Sequence, residues 1–133
     1  MKEQKNIELF EIYAAKILGL LYDEFPIPKN FNYHEFCDNK SIEDALSQAL
    51  IAYHTIEWLS DNGFIVHSGI DQNYGDVKRA VLTLKGLELL KYDFLGSKLK
   101  DALRLGKEEL IRQAVNKIFS LSALGLGKLI GNL

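Results

Sequence analysis

The stretch "LTLKGLELL", Leu82–Leu90, changes character within a few residues. Up to Leu84 the segment "VKRAVLTL" is rich in β-branched residues, which is typical of a strand. From there the apolar residues recur at helical spacing, at Leu84, Leu87 and Leu90. Thr83 stands at the change, and a threonine hydroxyl in that place can cap the first turn of a helix. We therefore expect a strand that leads directly into a helix, with Thr83 as the N-cap.

The residues before this junction predict the other limb of a β-hairpin. "FIVHSGI", from Phe64, is β-branched and aromatic, and "DQNYGD", from Asp71, supplies turn residues. One alternating face of the returning strand is apolar after its first member: Lys78, Ala80, Leu82 and Leu84. We expect this face to point into the core, with Lys78 projecting beyond the core's edge.

Helical spacing of apolar residues accounts for most of the remaining chain. The predicted helices span residues 7–22, 33–37, 41–62, 85–94, 97–105 and a last segment that begins near Lys107. Pro26 and Pro28 end the first helix, and either Asn62 or Gly63 is expected to end the long one as a left-handed cap. Asn32 and Ser41 are the predicted N-caps of the second and third helices. The predicted fold class is mainly α with a small β-hairpin (α+β).

The composition is that of one soluble globular domain, with 133 residues, 47% of them hydrophobic and 26% charged. The single cysteine, Cys37, excludes an intramolecular disulfide and fits a reducing compartment. The charged N-terminus does not resemble a signal peptide, and no apolar run reaches the roughly 18 residues that a membrane helix needs. We therefore expect a cytoplasmic protein with no integral membrane segment.

Two motifs flank the predicted hairpin, "TIEWLSDNGFI" at Thr55–Ile65 and "VLTLKGLELL" at Val81–Leu90. They resemble the winged-helix family, whose third helix commonly closes on Leu-x-x-x-Gly-aromatic-Ile and whose wing commonly exits through Leu-Thr-x-x-Gly-x-x-Leu-Leu. The matching positions are Leu59, Gly63, Phe64, Ile65, Leu82, Thr83, Gly86, Leu89 and Leu90. The resemblance implies a winged helix-turn-helix domain over residues 1–92. Residues 93–133 resemble the helical C-terminal extension of bacterial and prophage-borne members.

The resemblance also implies a small regulatory protein that binds double-stranded DNA, like a transcription regulator. In such proteins the third helix enters the major groove and the wing contacts phosphates. The candidate residues carried over are Gln48, Tyr53 and His54 on the helix and Asn73, Tyr74, Lys78 and Arg79 on the hairpin.

Charge weakens the DNA interpretation. The long helix, residues 41–62, holds no Lys or Arg and bears four carboxylates, and like charge opposes approach to phosphate. Residues 1–84 carry seven Lys/Arg against thirteen Asp/Glu, whereas residues 85–133 carry nine against five. An anionic partner is therefore expected to meet the hairpin and the C-terminal helices rather than the long helix.

The alternative function is a protein–protein interaction module on the same fold, without DNA binding. Its candidate face consists of Tyr53, His54, Glu57 and Trp58. The segment from Ile118 to Leu133 has one charge, Lys128, and apolar segments of this kind more often mark protein contacts than lipid contacts. We expect a homodimer that self-associates through Ile118, Phe119, Leu126, Leu129 and Ile130.

No catalytic or cofactor motif is present in the sequence. His34 and Cys37 lie three residues apart, but a zinc site needs three or four converging ligands, and no spacing brings others to this pair. "GLGKLIG", from Gly125, lacks the Lys-Ser/Thr ending of a phosphate-binding loop. We therefore expect no enzyme, no cofactor and no metal.

Overall fold

The computed structural model describes residues 2–37, 42–91, 95–106 and 108–123. Over these residues the chain is mostly helical with a small antiparallel sheet of four strands, so the predicted α+β class is confirmed. The helices are α1 (Lys2–Glu24), α2 (Ile42–Asp61), α3 (Leu84–Lys91), α4 (Leu95–Leu105) and α5 (Glu108–Ala123). The strands are β1 (Lys29–Asn32), β2 (Ile65–Val66), β3 (Gly69–Ile70) and β4 (Asp76–Leu82), and a 3-10 turn occupies Tyr33–Phe36.

The 3-10 turn begins at the predicted cap. The side-chain oxygen of Asn32 accepts a hydrogen bond from the backbone N–H of His34 at 2.8 Å. The predicted N-cap of the long helix, Ser41, lies outside the described residues.

Strand β4 is the centre of the sheet and pairs antiparallel with β1, β2 and β3. β2 and β3 are successive parts of one limb, which pairs Ile65 with Leu82 at one end and Ile70 with Val77 at the other. The predicted hairpin is therefore confirmed. β1 was missed, because four residues after Pro28 are too few to show a period of two, and their pairing with β4 is non-local.

A bulge in β4 sets which hairpin residues are exposed. From Lys29 to Phe31, β1 advances two residues while its partner β4 advances three, from Val77 to Ala80. Within this bulge Arg79 has a φ of 54°, and its backbone N–H donates to the side-chain oxygen of Asn30 at 2.8 Å. The bulge places Lys78 and Arg79 both in solvent and Val77 and Ala80 both in the core.

The predicted core face of β4 was therefore only partly right. Ala80 and Leu82 are buried as expected, and Lys78 projects into solvent. Leu84 is 70% exposed, because α3 begins at that residue and turns its side chain out of the strand's plane. Strict alternation along β4 would place Val77 on the face opposite Ala80. The bulge between them turns both side chains into the core.

The end of α2 is a Schellman motif. The N–H of Phe64 donates to the Leu59 carbonyl at 2.9 Å, and the N–H of Gly63 donates to the Ser60 carbonyl at 3.1 Å. Gly63 has a φ of 80°, a conformation that glycine adopts without the penalty of a side chain. Of the two predicted caps, Gly63 rather than Asn62 adopts the left-handed conformation, and β2 begins two residues after it.

Thr83 joins this cap to α3. Its hydroxyl accepts from the N–H of Gly86 at 3.1 Å and donates to the carbonyl of Gly63, while its own N–H donates to the Phe64 carbonyl at 3.0 Å. A Cβ on Gly86 would collide with the Phe64 carbonyl oxygen. Thr83 is thus the N-cap that the sequence predicts, and the two motifs form one joint between α2, β4 and α3.

Helix α1 is the centre of the core and packs against α2, α4 and α5. Its fully buried side chains include Tyr13, Ile17, Leu18 and Leu21. The buried residues of α4 and α5 belong to the same hydrophobic cluster; they are Leu99, Ala102, Ile111 and Val115. The C-terminal helices therefore complete the core around α1.

A buried carboxylate fastens α5 to α1. Arg112 Nε donates to Glu11 Oε1 at 2.8 Å, and the Glu11 side chain is only 7% exposed. Glu8 and Glu109 lie 3.8 Å and 3.5 Å from another nitrogen of the same guanidinium. The hydrogen bond that Arg112 donates to Glu11 raises the pKa of Arg112 above its ordinary value, so this side chain stays charged. We call Arg112 with its three carboxylates the α5 clamp.

Candidate interaction surface

An exposed apolar strip runs along the outer face of α2. Leu46 is 68% exposed, Leu50 is 58% exposed and Trp58 is 39% exposed. Together with His54 they are spaced four residues apart, which places them on one side of a helix. We call these four residues the α2 strip. Its three large apolar side chains make it the kind of surface that mostly marks a contact with another molecule.

A groove lies between this strip and α1. It has a volume of about 320 Å³ and is lined by Phe10, Leu50, Ile51, His54, Thr55 and Trp58. The hydroxyl of Thr55 donates to the Ile51 carbonyl at 2.7 Å, so the groove's buried polar atom is satisfied inside its own helix. Ile7, one turn before Phe10 on α1, is 56% exposed and extends the apolar surface. We call this feature the α1–α2 groove.

Two aromatic rings hold Trp58 in place. The Phe10 ring meets the indole edge to face, with centroids 5.1 Å apart, and the Phe64 ring stacks on it with centroids 6.0 Å apart. Lys85 lies 4.7 Å over the Phe64 ring and donates to the carbonyl of Asn62 at 2.8 Å, which fixes this wall to the end of α2. An indole held on two sides loses little side-chain entropy when a partner covers its remaining face.

The flank of the strip is acidic and internally hydrogen-bonded. The Glu57 carboxylate accepts from the Tyr53 hydroxyl at 3.0 Å and lies 3.1 Å from the His54 ring nitrogen Nδ1. Partial burial, together with the hydrogen bond to Glu57, raises the pKa of Tyr53. With Asp61 exposed at the end of the helix, α2 itself contributes carboxylates and no Lys or Arg to this surface, and Lys85 lies at its C-terminal end.

The structure brings the predicted protein-binding residues together. Tyr53, His54, Glu57 and Trp58 form one continuous patch beside the groove. The predicted protein-binding face did not include Ile7, Phe10, Leu46 or Leu50, which the structure places on or beside the groove. The signal was available, because α2 carries apolar residues on two sides and only one side can face α1.

The residues proposed for DNA binding fall into separate groups. Gln48 is half-buried and accepts from the Tyr13 hydroxyl at 3.2 Å, so it is engaged with α1. Lys78 and Arg79 are exposed side by side on the bulge, and neither has an ion-pair partner among the described residues. The only exposed cations of the hairpin's described strands are therefore free to meet an anion.

The loop that carries Asn73 and Tyr74 is fixed close to the middle of α2. Asp71 accepts from the backbone N–H of Asn73 at 2.8 Å and from that of Tyr74 at 3.1 Å. The Tyr33 hydroxyl donates to the Gln72 carbonyl at 3.3 Å, and the Tyr33 ring lies 6.4 Å from the Tyr53 ring. The structure therefore brings the loop tip to Tyr53, whereas the cations sit farther along β4.

A second cleft lies between α4 and α5. Its volume is about 390 Å³, and its lining is Asp101, Ala102, Leu105, Leu110, Gln113, Ala114 and Lys117. We call it the α4–α5 cleft. It is more polar than the α1–α2 groove, because charged and amide side chains line it.

Two of the five predicted self-association residues lie in the described part of the chain. Ile118 and Phe119 lie in α5. Leu126, Leu129 and Ile130 lie outside the described residues. The homodimer stays a prediction.

Cys37 is half-buried, and burial raises the pKa of its thiol. Among residues 2–37, 42–91, 95–106 and 108–123, no three His, Cys, Asp or Glu side chains converge as a metal site would require. In the same part of the chain no helix is both long and apolar enough to cross a membrane.

Comparison with known proteins adds no relative. No family model, no curated protein and no solved structure matches the chain, so the functional proposal rests on the surfaces described above.

Proposed function

We propose that this chain is a cytoplasmic winged-helix protein whose α1–α2 groove binds an apolar segment of a partner protein. The order of elements supports the winged-helix assignment, since helix, short helix, long helix and hairpin follow one another as the two motifs imply. The contacts of Gly63, Thr83 and Gly86 at the joint explain why both motifs have these residue types at these positions.

The observation that carries the proposal is the exposed α2 strip, whose Trp58 is held in place by the rings of Phe10 and Phe64. Burying one Leu side chain contributes about 1.5–3 kcal/mol, and tryptophans at the centre of an interface are among the residues that dominate affinity. A partner segment with apolar residues at helical or alternating spacing would fill the groove, and basic residues beside them would meet Glu57 and Asp61.

The test is a selection of groove-binding peptides. A random peptide library displayed on phage is panned against the full chain, and the affinity of the selected peptides is measured by calorimetry. We expect apolar peptides whose binding weakens at least about tenfold in Leu50→Asp, because the lost burial exceeds the roughly 1.4 kcal/mol that tenfold represents.

The matched control is Leu84→Asp. Leu84 is a leucine on α3 that is 70% exposed, against 58% for Leu50, and it lies outside the groove, so this variant should bind the peptides unchanged. Equal loss in both variants, or no enrichment of apolar peptides, would contradict the proposal.

A second candidate function, DNA binding, is favoured by one observation: Lys78 and Arg79 are adjacent, exposed and without an ion-pair partner among the described residues. Here the hairpin alone would contact phosphates. The affinity for a labelled mixed-sequence duplex would then fall between roughly 50 and 200 mM salt, with a log–log slope of about −0.9 for each phosphate contact.

The variant that tests it is Lys78→Ala with Arg79→Ala. We expect loss of duplex retention, because both hairpin cations are removed. Arg104→Ala with Lys117→Ala removes the same charge from α4 and α5 and should leave most retention intact. Equal loss in the two double variants would make the attraction a property of net charge rather than of the hairpin.

A further inference from the structure

We propose that the partner segment in the α1–α2 groove is an amphipathic helix and that Glu57 selects an arginine on it, an inference that rests on the proposed function of the groove. Glu57 adjoins the groove, because Trp58 after it and His54 one turn before it both line the groove. Its side chain is 42% exposed. A side chain at the edge of a bound helix can therefore reach this carboxylate while the apolar side chains of the same helix fill the groove.

The walls of the groove favour a helix over an extended segment. Both walls belong to helices, α1 and α2, whose backbone N–H and C=O groups are bonded within their own turns. Strand addition depends on main-chain hydrogen bonds to a free edge, whereas a bound helix satisfies its own backbone groups. The α2 strip runs from Leu46 to Trp58, about 18 Å at about 1.5 Å per residue, so about three turns of a partner helix would cover it.

Two neighbouring side chains hold the Glu57 carboxylate in place. Its Oε2 accepts from the Tyr53 hydroxyl at 3.0 Å, and its Oε1 lies 3.1 Å from His54 Nδ1. An ionised carboxylate has about four acceptor sites, two on each oxygen. These contacts leave one site on each oxygen, which is what the two parallel N–H groups of an arginine require.

Arginine fits this site better than lysine. Its guanidinium is planar and donates to both carboxylate oxygens at once, whereas a lysine ammonium acts as a point charge. A guanidinium also stacks on aromatic rings, and the rings of Tyr53 and His54 lie beside the carboxylate with their centroids 5.1 Å apart.

Charge complementarity indicates that the arginine comes from a different protein. α2 contains no Lys or Arg, so a second copy of α2 laid on the first would oppose carboxylates and supply no cation. Lys85, at the C-terminal end of α2, donates to the Asn62 carbonyl and lies over the Phe64 ring. Glu57 is therefore left to a cation of the partner.

The first test is which charged side chain the groove selects. The probe is a phage library of helical peptides about 16 residues long, enough for the required turns, with leucines at i, i+4 and i+7 and the positions beside them randomised. It is panned against the full chain and against Glu57→Gln. We expect the full chain to enrich arginine over lysine at one position beside the leucines, and Glu57→Gln to keep the leucine-dependent binding and lose this enrichment.

Citrulline then measures the interaction, because it keeps the shape of arginine and removes its charge. Replacing the selected arginine by citrulline should weaken binding to the full chain about tenfold, as expected for lost charge-assisted hydrogen bonds. Glu57→Gln should bind the two peptides with nearly equal affinity. Calorimetry of the four combinations gives the coupling between Glu57 and the arginine.

Tyr53→Phe tests the hydroxyl as a positioning group. This variant keeps the ring and removes the hydrogen bond to Glu57, so it should lower the ratio of arginine-peptide to citrulline-peptide affinity without weakening the citrulline peptide. The matched control is Glu88→Gln, which removes a carboxylate from α3 outside the groove lining and should keep the full chain's ratio.

Three outcomes would overturn the inference: an equal affinity ratio in the full chain and Glu57→Gln, panning that selects lysine as often as arginine, or binding that survives a helix-breaking proline at the centre of the peptide. Each leaves the groove's proposed function standing if the peptides still lose affinity in Leu50→Asp. Failure of every leucine-bearing peptide to bind would instead contradict the proposed function, and this inference with it.

Discussion

The outer face of α2 and the hairpin differ in their charge and in the large apolar side chains that they expose. The helix presents large apolar side chains with carboxylates at their flank and no cation. The hairpin presents two adjacent cations on a bulge; Val77, Ala80 and Leu82 are buried, although Val66 is 50% exposed. Of these two surfaces, the hairpin is the one whose Lys and Arg side chains suit phosphate, and the helix is the one whose exposed apolar side chains suit an apolar partner. The difference teaches that two surfaces of one small fold can have separate partners.

The largest expected effect comes from breaking the joint that holds the two regions together. Gly86→Ala places a methyl group against the Phe64 carbonyl oxygen, which is backbone and cannot move aside cheaply. We expect a loss of about 1–3 kcal/mol in the free energy of unfolding, typical of overpacking, measured by urea denaturation.

Gly69→Ala is the matched control, because a Cβ there meets nothing within 4 Å. It should change the free energy of unfolding far less. A loss in Gly86→Ala no larger than in this control would mean that α3 does not pack as described.

A smaller effect is expected from making the helix resemble the hairpin. Glu57→Lys with Asp61→Lys replaces two carboxylates beside the α2 strip by cations. If acidity keeps DNA from α2, duplex affinity rises and the salt slope steepens by at most about 1.8, or 0.9 for each added phosphate contact. The measurement is a duplex titration at several salt concentrations.

Glu57→Gln with Asp61→Asn removes the negative charge without adding cations and serves as the control. An intermediate gain is expected there. Unchanged duplex affinity in both variants would show that the shape of the strip, rather than its charge, excludes DNA.

The smallest effect concerns the bulge itself. Arg79 adopts a left-handed conformation that costs an ordinary residue roughly 1 kcal/mol. Arg79→Gly should therefore raise the free energy of unfolding by up to about 1 kcal/mol while it lowers any duplex retention. Lys78→Gly, at the neighbouring exposed position without a positive φ, should lower the free energy of unfolding instead, and opposite signs in urea denaturation would confirm where the strain lies.

Local signals in the sequence predicted the joint well. A cap at Asn62 or Gly63, a cap at Thr83 and the hairpin between them each depend on a few consecutive residues, and all three are confirmed. What the sequence could not show is why Gly86 must be glycine. That reason is a contact with Phe64, which is distant in the chain.

The sequence did not predict β1 or the bulge in β4, because both depend on pairing between strands that are distant in the chain. β1 gains its hydrogen bonds from a strand more than forty residues away, and the register slip at Arg79 exists only against that partner. The α2 strip was hidden for a related reason. Periodicity shows that a helix has apolar sides, but only packing shows which side is left uncovered.

Residues 7–11 of α1 contribute both to the α1–α2 groove and to the α5 clamp. Phe10 lines the groove and Ile7 extends its exposed apolar surface, whereas Glu8 and Glu11 hold Arg112, and Leu9 packs against the core. Each side chain in this segment makes one of these contacts. A substitution there therefore disturbs the groove surface, the core or the attachment of α5. We therefore expect natural sequence variation to be narrower at residues 7–11 than along any exposed stretch of α2. This holds even though Ile7 is exposed and Glu8, Leu9 and Phe10 are only half-buried.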